Sequence, residues 1–390
     1  MKIALLNPAI WLGKNSLHPY VGELILHHKP ILYFNDMEYF GAFCYRFQKE
    51  YGVAKFLEQI PRFVFGLKTL NDKTDALLCF NGAPEKKLGA PVSGFSGIQI
   101  FHVMDYFRNS KEQSEILEKG GVKYVFAYTD HFKHDAFFRK YYPQYKNRVI
   151  PVAFSFGERF EDYTPFGERH EKCVAIGSIT PFVDKMALET GKLSKIMMGY
   201  EAAEFFSPVE TIHPDRKMLR DNETKLSDIL DSFLPSAKTK NIYAARSEIP
   251  DKSWVPKKVS SADMSGKRSN YNIVDVLNQY KMFIHGETVF NVVWAKSFEG
   301  CAAGCVLVCS DGEWNREFGF EDKVNCIMHK NGDVDSVRAA IGWGLKNPQK
   351  LEKIAISGKE LVREKYSPKV VADYIVNRTV EIVEKEKKKI

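Results

Sequence analysis

Residues Lys281–Cys309 read KMFIHGETVFNVVWAKSFEGCAAGCVLVC. The apolar run Lys281–His285 opens the stretch as a strand. A loop with Gly286, Glu287 and Thr288 follows, then a helical stretch over Val292–Ala303, then Gly304 and the fully apolar run Cys305–Cys309. Strand, loop, helix, glycine and strand make a βαβ unit, because a parallel neighbour can be reached only through a crossover. Glu299 is out of place in that unit. A helix between two buried strands is mostly covered, and carboxylates are seldom buried without a partner. Lys296, one turn back, is the nearest cation on the helix.

The same alternation extends outward. Candidate strands are Lys2–Leu6, Pro30–Phe34, Asp75–Phe80, Gly97–His102, Val122–Tyr128 and Arg148–Ala153. Between them, Ala42–Tyr51, Val53–Leu67, Ser110–Lys119 and His131–Tyr142 carry apolar residues near the 3.6 period. A polar stretch, Glu161–Lys172, precedes a fresh strand at Lys172–Ile176 that is ended by Gly177. This predicts an α/β protein of two Rossmann-like domains with parallel sheets facing a cleft. The expected boundaries are 1–165, 166–367, and a closing helix with a basic tail over 368–390. The section 207–272 is polar and proline-rich, and reads as two helices with loops.

Composition narrows the class. The chain has 390 residues, 44% hydrophobic and 27% charged, which excludes disordered and collagen-like proteins. A net charge of +7 suits phosphate-bearing partners but is too dilute to argue for nucleic acid. Seven cysteines lie mostly in apolar runs without a CxxC pair, so they read as buried thiols in a reducing compartment. No apolar run reaches the ~18–20 residues of a membrane span, and Asn7-Pro8 halts the first run too early for a signal peptide. The expected location is the cytoplasm, with the EKEKKK tail suited to contact with an anionic membrane surface. Neither GxGxxG nor GxxxxGK[ST] occurs, so dinucleotide and P-loop sites lack support. Asp333-Val334-Asp335 precedes a helix, where Asp is a natural N-cap.

Two readings of Glu299 stand side by side. One is a structural ion pair with Lys296. The other is a nucleotide-sugar site: a carboxylate can accept from both vicinal ribose hydroxyls, while Lys296 and helix N-terminal amides face a diphosphate. The small residues Gly300, Ala302, Ala303 and Gly304 let the backbone approach a ligand or the next strand.

The segment Ser297–Val308, SFEGCAAGCVLV, resembles the signature of GT-B glycosyltransferases, especially the glycosyltransferase group 1 type. Cys173–Ile179, CVAIGSI, resembles the first strand and glycine turn of their donor domain. The resemblance covers mainly 173–180 and 281–376, and matches the N-terminal half in architecture only. It implies that Glu299 binds the donor ribose, with Lys296, Gly177, Ser178, Glu287 and Asn291 around the donor. It also implies a metal-independent reaction without cofactor, the nucleotide-sugar being a substrate, and a final helix that crosses back to the first domain. The family often carries another glutamate eight positions before the second; here that position is Asn291, and Glu287 is out of register. Tyr280–Ile284 with Glu287 and Lys296 also resembles the donor region of GDP-sugar fucosyltransferases, which invert. The His213-Pro214 dipeptide is similar to one used by some CMP-sugar transferases, with Arg216 near phosphate; a plain loop turn is the competing reading.

On the acceptor side, ligands of open α/β sheets bind beyond the carboxyl ends of strands. His102 and Asp105 follow such a strand and are the expected catalytic residues, either a histidine or a carboxylate being able to serve as general base. Asp130 and His131 repeat the pattern one strand later, with Asp130 also a candidate N-cap. The expected function is sugar transfer from a nucleotide-sugar to a hydroxyl of a glycan or glycolipid in polysaccharide biosynthesis. The rival readings are an inverting CMP- or GDP-sugar transferase and a non-catalytic relative that binds a glycan or a partner protein.

Overall fold

The computed structural model describes residues 1–81, 90–180, 182, 200–234 and 272–389. The chain divides into two compact units. The first comprises Met1–Arg159, Val293–Glu299 and Val362–Ile390; the second comprises Phe160–Val292 and Gly300–Leu361.

Among the described residues the first unit is built on seven strands: β1 (Ile3–Leu6), β2 (Ile31–Tyr33), β3 (Phe63–Val64), β4 (Ala76–Cys79), β5 (Ile98–His102), β6 (Val122–Ala127) and β7 (Val149–Pro151). Their order is β3-β2-β1-β4-β5-β6-β7, and every neighbouring pair is parallel. Such strands are covered on both faces, which is why they read as continuous apolar runs. Here β4 and β5 are buried at every position. The stretch Val53–Leu67 departs from the expected helix. Helix ends at Leu57, Pro61 starts a short 3-10 turn, and Phe63–Val64 joins the sheet edge. Proline breaks the ladder there, a stronger local rule than the apolar period.

Helix Pro368–Lys387 belongs to this first unit although it closes the chain. Val371, Ala372, Ile375, Ile382 and Val383 enter the core with Leu5, Tyr20, Ile25 and Phe126. Lys387 pairs with Asp75 at 2.7 Å, and Glu386 accepts from the Tyr124 hydroxyl at 2.9 Å. The crossing back expected from the family resemblance is thus what the fold shows.

Among the described residues the second unit has five parallel strands: β8 (His170–Ala175), β9 (Leu230–Ser232), β10 (Tyr280–Ile284), β11 (Val306–Ser310) and β12 (Ile327–His329). Their order is β12-β11-β10-β8-β9. Helices Ala295–Ala302, Val334–Lys346 and Pro348–Lys365 follow the strands closely where sequence placed them. Asp333 caps the second of these, accepting from the amides of Asp335 and Ser336, which accounts for the DxD pattern. The two short strands β9 and β12 were not expected: three residues are too few for a period to register. In the polar section, helices Pro214–Asp221 and Glu223–Leu226 match the two expected, and 235–271 lie outside the described residues.

Two glycines fix the central crossover. A Cβ on Gly300 would lie 2.1 Å from the Phe283 ring, so the small-residue turn lets the helix close onto β10. Gly304, at φ +72°, separates helix from strand, as its position between the two runs implied. All seven cysteines are free thiols, and all but Cys44 are buried.

Candidate functional site

Functional side chains in a parallel sheet gather where strands end at their carboxyl termini, because the connecting loops there are free to vary. In the second unit the ends of β8, β10 and β11 meet this condition. Gly177 (φ +129°) and Gly286 (φ +63°) make sharp turns after β8 and β10. Arg216, 4% exposed, fills the space beside both. A Cβ on Gly177 would sit 2.8 Å from the guanidinium carbon, and one on Gly286 would sit 2.9 Å from Arg216 Cγ. Arg216 Nη1 donates to the Ser178 carbonyl at 2.7 Å, and Nε donates to the His285 carbonyl. Arg216 therefore braces the two turns through these bonds. His213 likewise serves the fold: its Nδ1 accepts from the Thr180 amide at 3.3 Å, and Pro214 opens the helix as its first residue.

Glu287 is 3% exposed and bonded on both sides. Its amide donates to Asp215 Oδ2 at 3.2 Å. Its Oε1 accepts from the Ser310 amide and from Asn315 Nδ2, both at 3.2 Å. Asn291 holds φ +53°, the left-handed region that asparagine tolerates and glutamate does not favour. That backbone gives a physical reason for the departure from the family's first glutamate.

Lys296 and Glu299 belong with the first unit. No ion pair or hydrogen bond joins Glu299 to any described residue. Burial pushes its carboxyl above the usual carboxylate range, against the opposing charges of Lys296 and Arg159. The side chain is half-buried, with those two cations near it. The structural Lys296–Glu299 pair, the rival reading, is not formed.

The carboxyl edge of the first unit is an aromatic cluster. His102 ends β5, is 1% exposed, and has no hydrogen-bond partner on either ring nitrogen. His18 and Tyr128 lie 5.2 and 4.8 Å from it, centroid to centroid. Tyr128 and Phe154 stack at 3.9 Å, and Trp294 is 6.1 Å from each. Burial lowers the His102 imidazole to about 3, so it stays neutral at physiological pH. Asp105 lies at φ +46° and pairs with Arg108 at 2.8 Å. Asp130 is the N-cap of His131–His134, accepting from the Lys133 amide at 3.1 Å. His131 Nδ1 contacts Thr129 Oγ1 at 3.0 Å, while Nε2 has no partner. His18, Trp294, Asp215 and Asn315 were missed by sequence. They sit in loops or helix starts, where no periodicity marks them.

Behind this edge, Asp135 caps Ala136–Tyr141 and accepts the Tyr106 hydroxyl. Burial raises its carboxyl from 3.8 to about 7, against lowering bonds from Tyr106 and the Phe137 amide. The folded state thus binds this proton more tightly than the unfolded chain. Its contribution to stability is complete below about 3.8 and is lost as pH climbs through about 7. Asp135→Asn keeps the cap oxygen and removes the titration. Unfolding curves from pH 4 to 8 should show the variant gaining on the wild type as pH rises; parallel curves would place the proton elsewhere.

Comparison with known proteins follows the same geography. Residues 231–377 match the family model described as "Glycosyl transferase-like". No curated protein matches the sequence. Among solved structures, Anabaena HepE crystallised with UDP has a TM-score of 0.50 at 10% identity, over 98% of this chain and 100% of that one. An alpha-glucosyltransferase in complex with UDP-glucose and DNA containing an abasic site has a TM-score of 0.50 at 10% identity, over 98% of both chains. The two parallel units and these likenesses give the chain the GT-B fold, and its residues 231–377 are similar to the glycosyl transferase-like family. The resemblance first seen in Ser297–Val308 falls inside the matched segment.

Proposed function

We infer that the protein transfers a sugar from a nucleoside-diphosphate sugar to a hydroxyl of a glycan or glycolipid. The observation that carries this is Glu299: an acid without a bonded partner, on a helix inside the glycosyl transferase-like segment. Its role is to accept from the donor's ribose hydroxyls. Lys296 and backbone amides neutralise the leaving diphosphate, so the reaction needs no metal ion. UDP is the first nucleotide to test, since both similar structures hold UDP or UDP-glucose.

His102 supports the acceptor side of this reading as a neutral imidazole with unpartnered nitrogens at a strand's carboxyl end. The basic tail, with Lys385 and Lys388 exposed, suits an acceptor carried on an anionic membrane surface. No helix among the described residues is long and apolar enough to cross a membrane. Asn291 favours a second reading, in which the sugar contact is lost and the protein binds donor or glycan without turnover.

A thermal-shift titration with UDP, GDP and CMP tests the assignment. One of the three should raise the melting temperature in a saturable way, because a ligand bound only to the folded state stabilises it. A flat response to all three would overturn the reading.

A further inference from the structure

The first unit carries a concentration of apolar side chains outside its core. Met37, Tyr45, Val53, Leu57, Ile60 and Phe65 are all strongly exposed, from 48% for Ile60 to 68% for Tyr45. They are six of the fourteen exposed large hydrophobic side chains among the described residues, and all fall between positions 37 and 65. Scattered apolar residues on a surface need no explanation, whereas a contiguous group marks an interaction surface. Helix Met37–Tyr51 turns Phe43 and Phe47 inward, which leaves Met37, Gly41 and Tyr45, at four-residue spacing, in a row on its outer face. Half-buried rings make the group continuous. Phe40 lies 5.0 Å from Phe65 and 5.4 Å from Phe63. Phe63 lies 6.0 Å from Phe56, the neighbour of Leu57 in helix Val53–Leu57. The 3-10 turn Ile60–Arg62 then returns the chain to β3, at the edge of the sheet.

Charge decides what fits this face. Within residues 37–68 the exposed cations are Arg46, Lys49, Lys55 and Lys68, and the exposed carboxylates are Glu38 and Glu58. The excess is basic. Lys49 stands one turn beyond Tyr45, Lys55 between Val53 and Leu57, and Lys68 in the helix that follows Phe65. None of these three lysines pairs with a described residue. Two lysines of the C-terminal tail are by contrast engaged, Lys387 with Asp75 and Lys389 with Glu386. Unpaired cations beside exposed aromatic and aliphatic side chains suit an anionic bilayer, where apolar groups enter the acyl boundary and lysines stay among the headgroups. A second copy of this face would set the same cations against one another, which disfavours self-association. We propose that the face formed by helices Met37–Tyr51 and Val53–Leu57 and the edge strand β3 docks the protein on an anionic lipid bilayer, with Tyr45, Leu57, Ile60 and Phe65 as apolar anchors. The inference goes beyond the sugar-transfer reading and rests on it only for what the docking serves, access to a lipid-borne acceptor.

Sedimentation of the full chain with lipid vesicles, at low and high salt and without nucleotide, tests this. The vesicles are phosphatidylcholine alone, or phosphatidylcholine and phosphatidylglycerol in equal parts. The wild type should bind the mixed vesicles more tightly than phosphatidylcholine alone, and added salt should weaken that binding. Leu57→Ser combined with Phe65→Ser should weaken it by at least about tenfold, since two apolar anchors are then lost. Both positions are exposed, so the unfolding curve should hardly move. Lys49→Gln combined with Lys55→Gln should lower binding to the mixed vesicles and leave binding to phosphatidylcholine unchanged. Three results would overturn the docking surface: a wild type that stays in solution, a Leu57/Phe65 variant that binds as the wild type does, or a loss that follows Lys385→Gln with Lys388→Gln instead. A wild type that ignores vesicles but sediments as a dimer, made monomeric by the Leu57/Phe65 substitutions, would give the face to a second copy. Because no nucleotide is present, each of these failures leaves the donor reading standing. A flat response to UDP, GDP and CMP in turn leaves the docking surface standing.

Discussion

Replacing His102 by alanine should lower turnover by about 10²–10⁴-fold, the range of general-base catalysis, while donor affinity stays within about twofold. The imidazole is neutral and neither ring nitrogen is bonded, which leaves one lone pair open to an acceptor's proton, while burial keeps it a weak base. Asp105 contributes little to that role because its carboxylate is held by Arg108. Asp105→Asn should therefore cost less than about tenfold, a small share of that range. The low-lying imidazole also sets the pH profile. His102 does not titrate between pH 5 and 8, so turnover should show no acidic limb near the ordinary histidine value. Steady-state kinetics beside unfolding curves separates catalysis from packing. Unchanged turnover per folded molecule with a lowered melting point would make His102 a core residue, and His131, with Nε2 unpartnered, the next candidate.

Glu299→Ala should weaken binding of the donor nucleotide by at least about tenfold. A hydrogen bond to a charged group contributes roughly 1.5–3 kcal/mol, and a decade of affinity is about 1.4 kcal/mol. Losing two ribose contacts therefore exceeds one decade. Glu299→Gln keeps the size and one acceptor oxygen but loses the charge, and should fall between. Stability should move little in either variant, because Glu299 has no bonded partner to abandon. Equal nucleotide affinity with a lowered melting point would return Glu299 to the structural role that its geometry argues against. Isothermal titration of UDP, with unfolding curves on the same samples, reads both quantities.

These residues show what a sequence discloses and what it hides. The β10–helix–β11 crossover was legible because both strands are apolar throughout and Gly304 punctuates them; the helix is Ala295–Ala302, three residues shorter at its start than its apolar pattern. Glu299 was legible because a carboxylate among buried residues breaks the pattern. For Arg216, a basic residue near a glycine turn reads equally as ligand or strut, and its bonds to the Ser178 and His285 carbonyls are not legible in sequence. Glu287 was seen but not understood: its partners Ser310 and Asn315 lie more than twenty residues away. His18 and Trp294 were invisible for the same reason, being brought to Tyr128 by topology alone.

The central claim is that this chain moves sugar from a nucleotide donor. The measurement that addresses it most directly is mass spectrometry of reactions holding UDP-, GDP- or CMP-sugars with a panel of glycan and glycolipid acceptors, the wild type set beside Glu299→Ala. The account predicts release of one free nucleotide together with an acceptor heavier by one sugar, both strongly reduced in the variant. A folded wild type that binds a nucleotide yet releases none with any acceptor would contradict it.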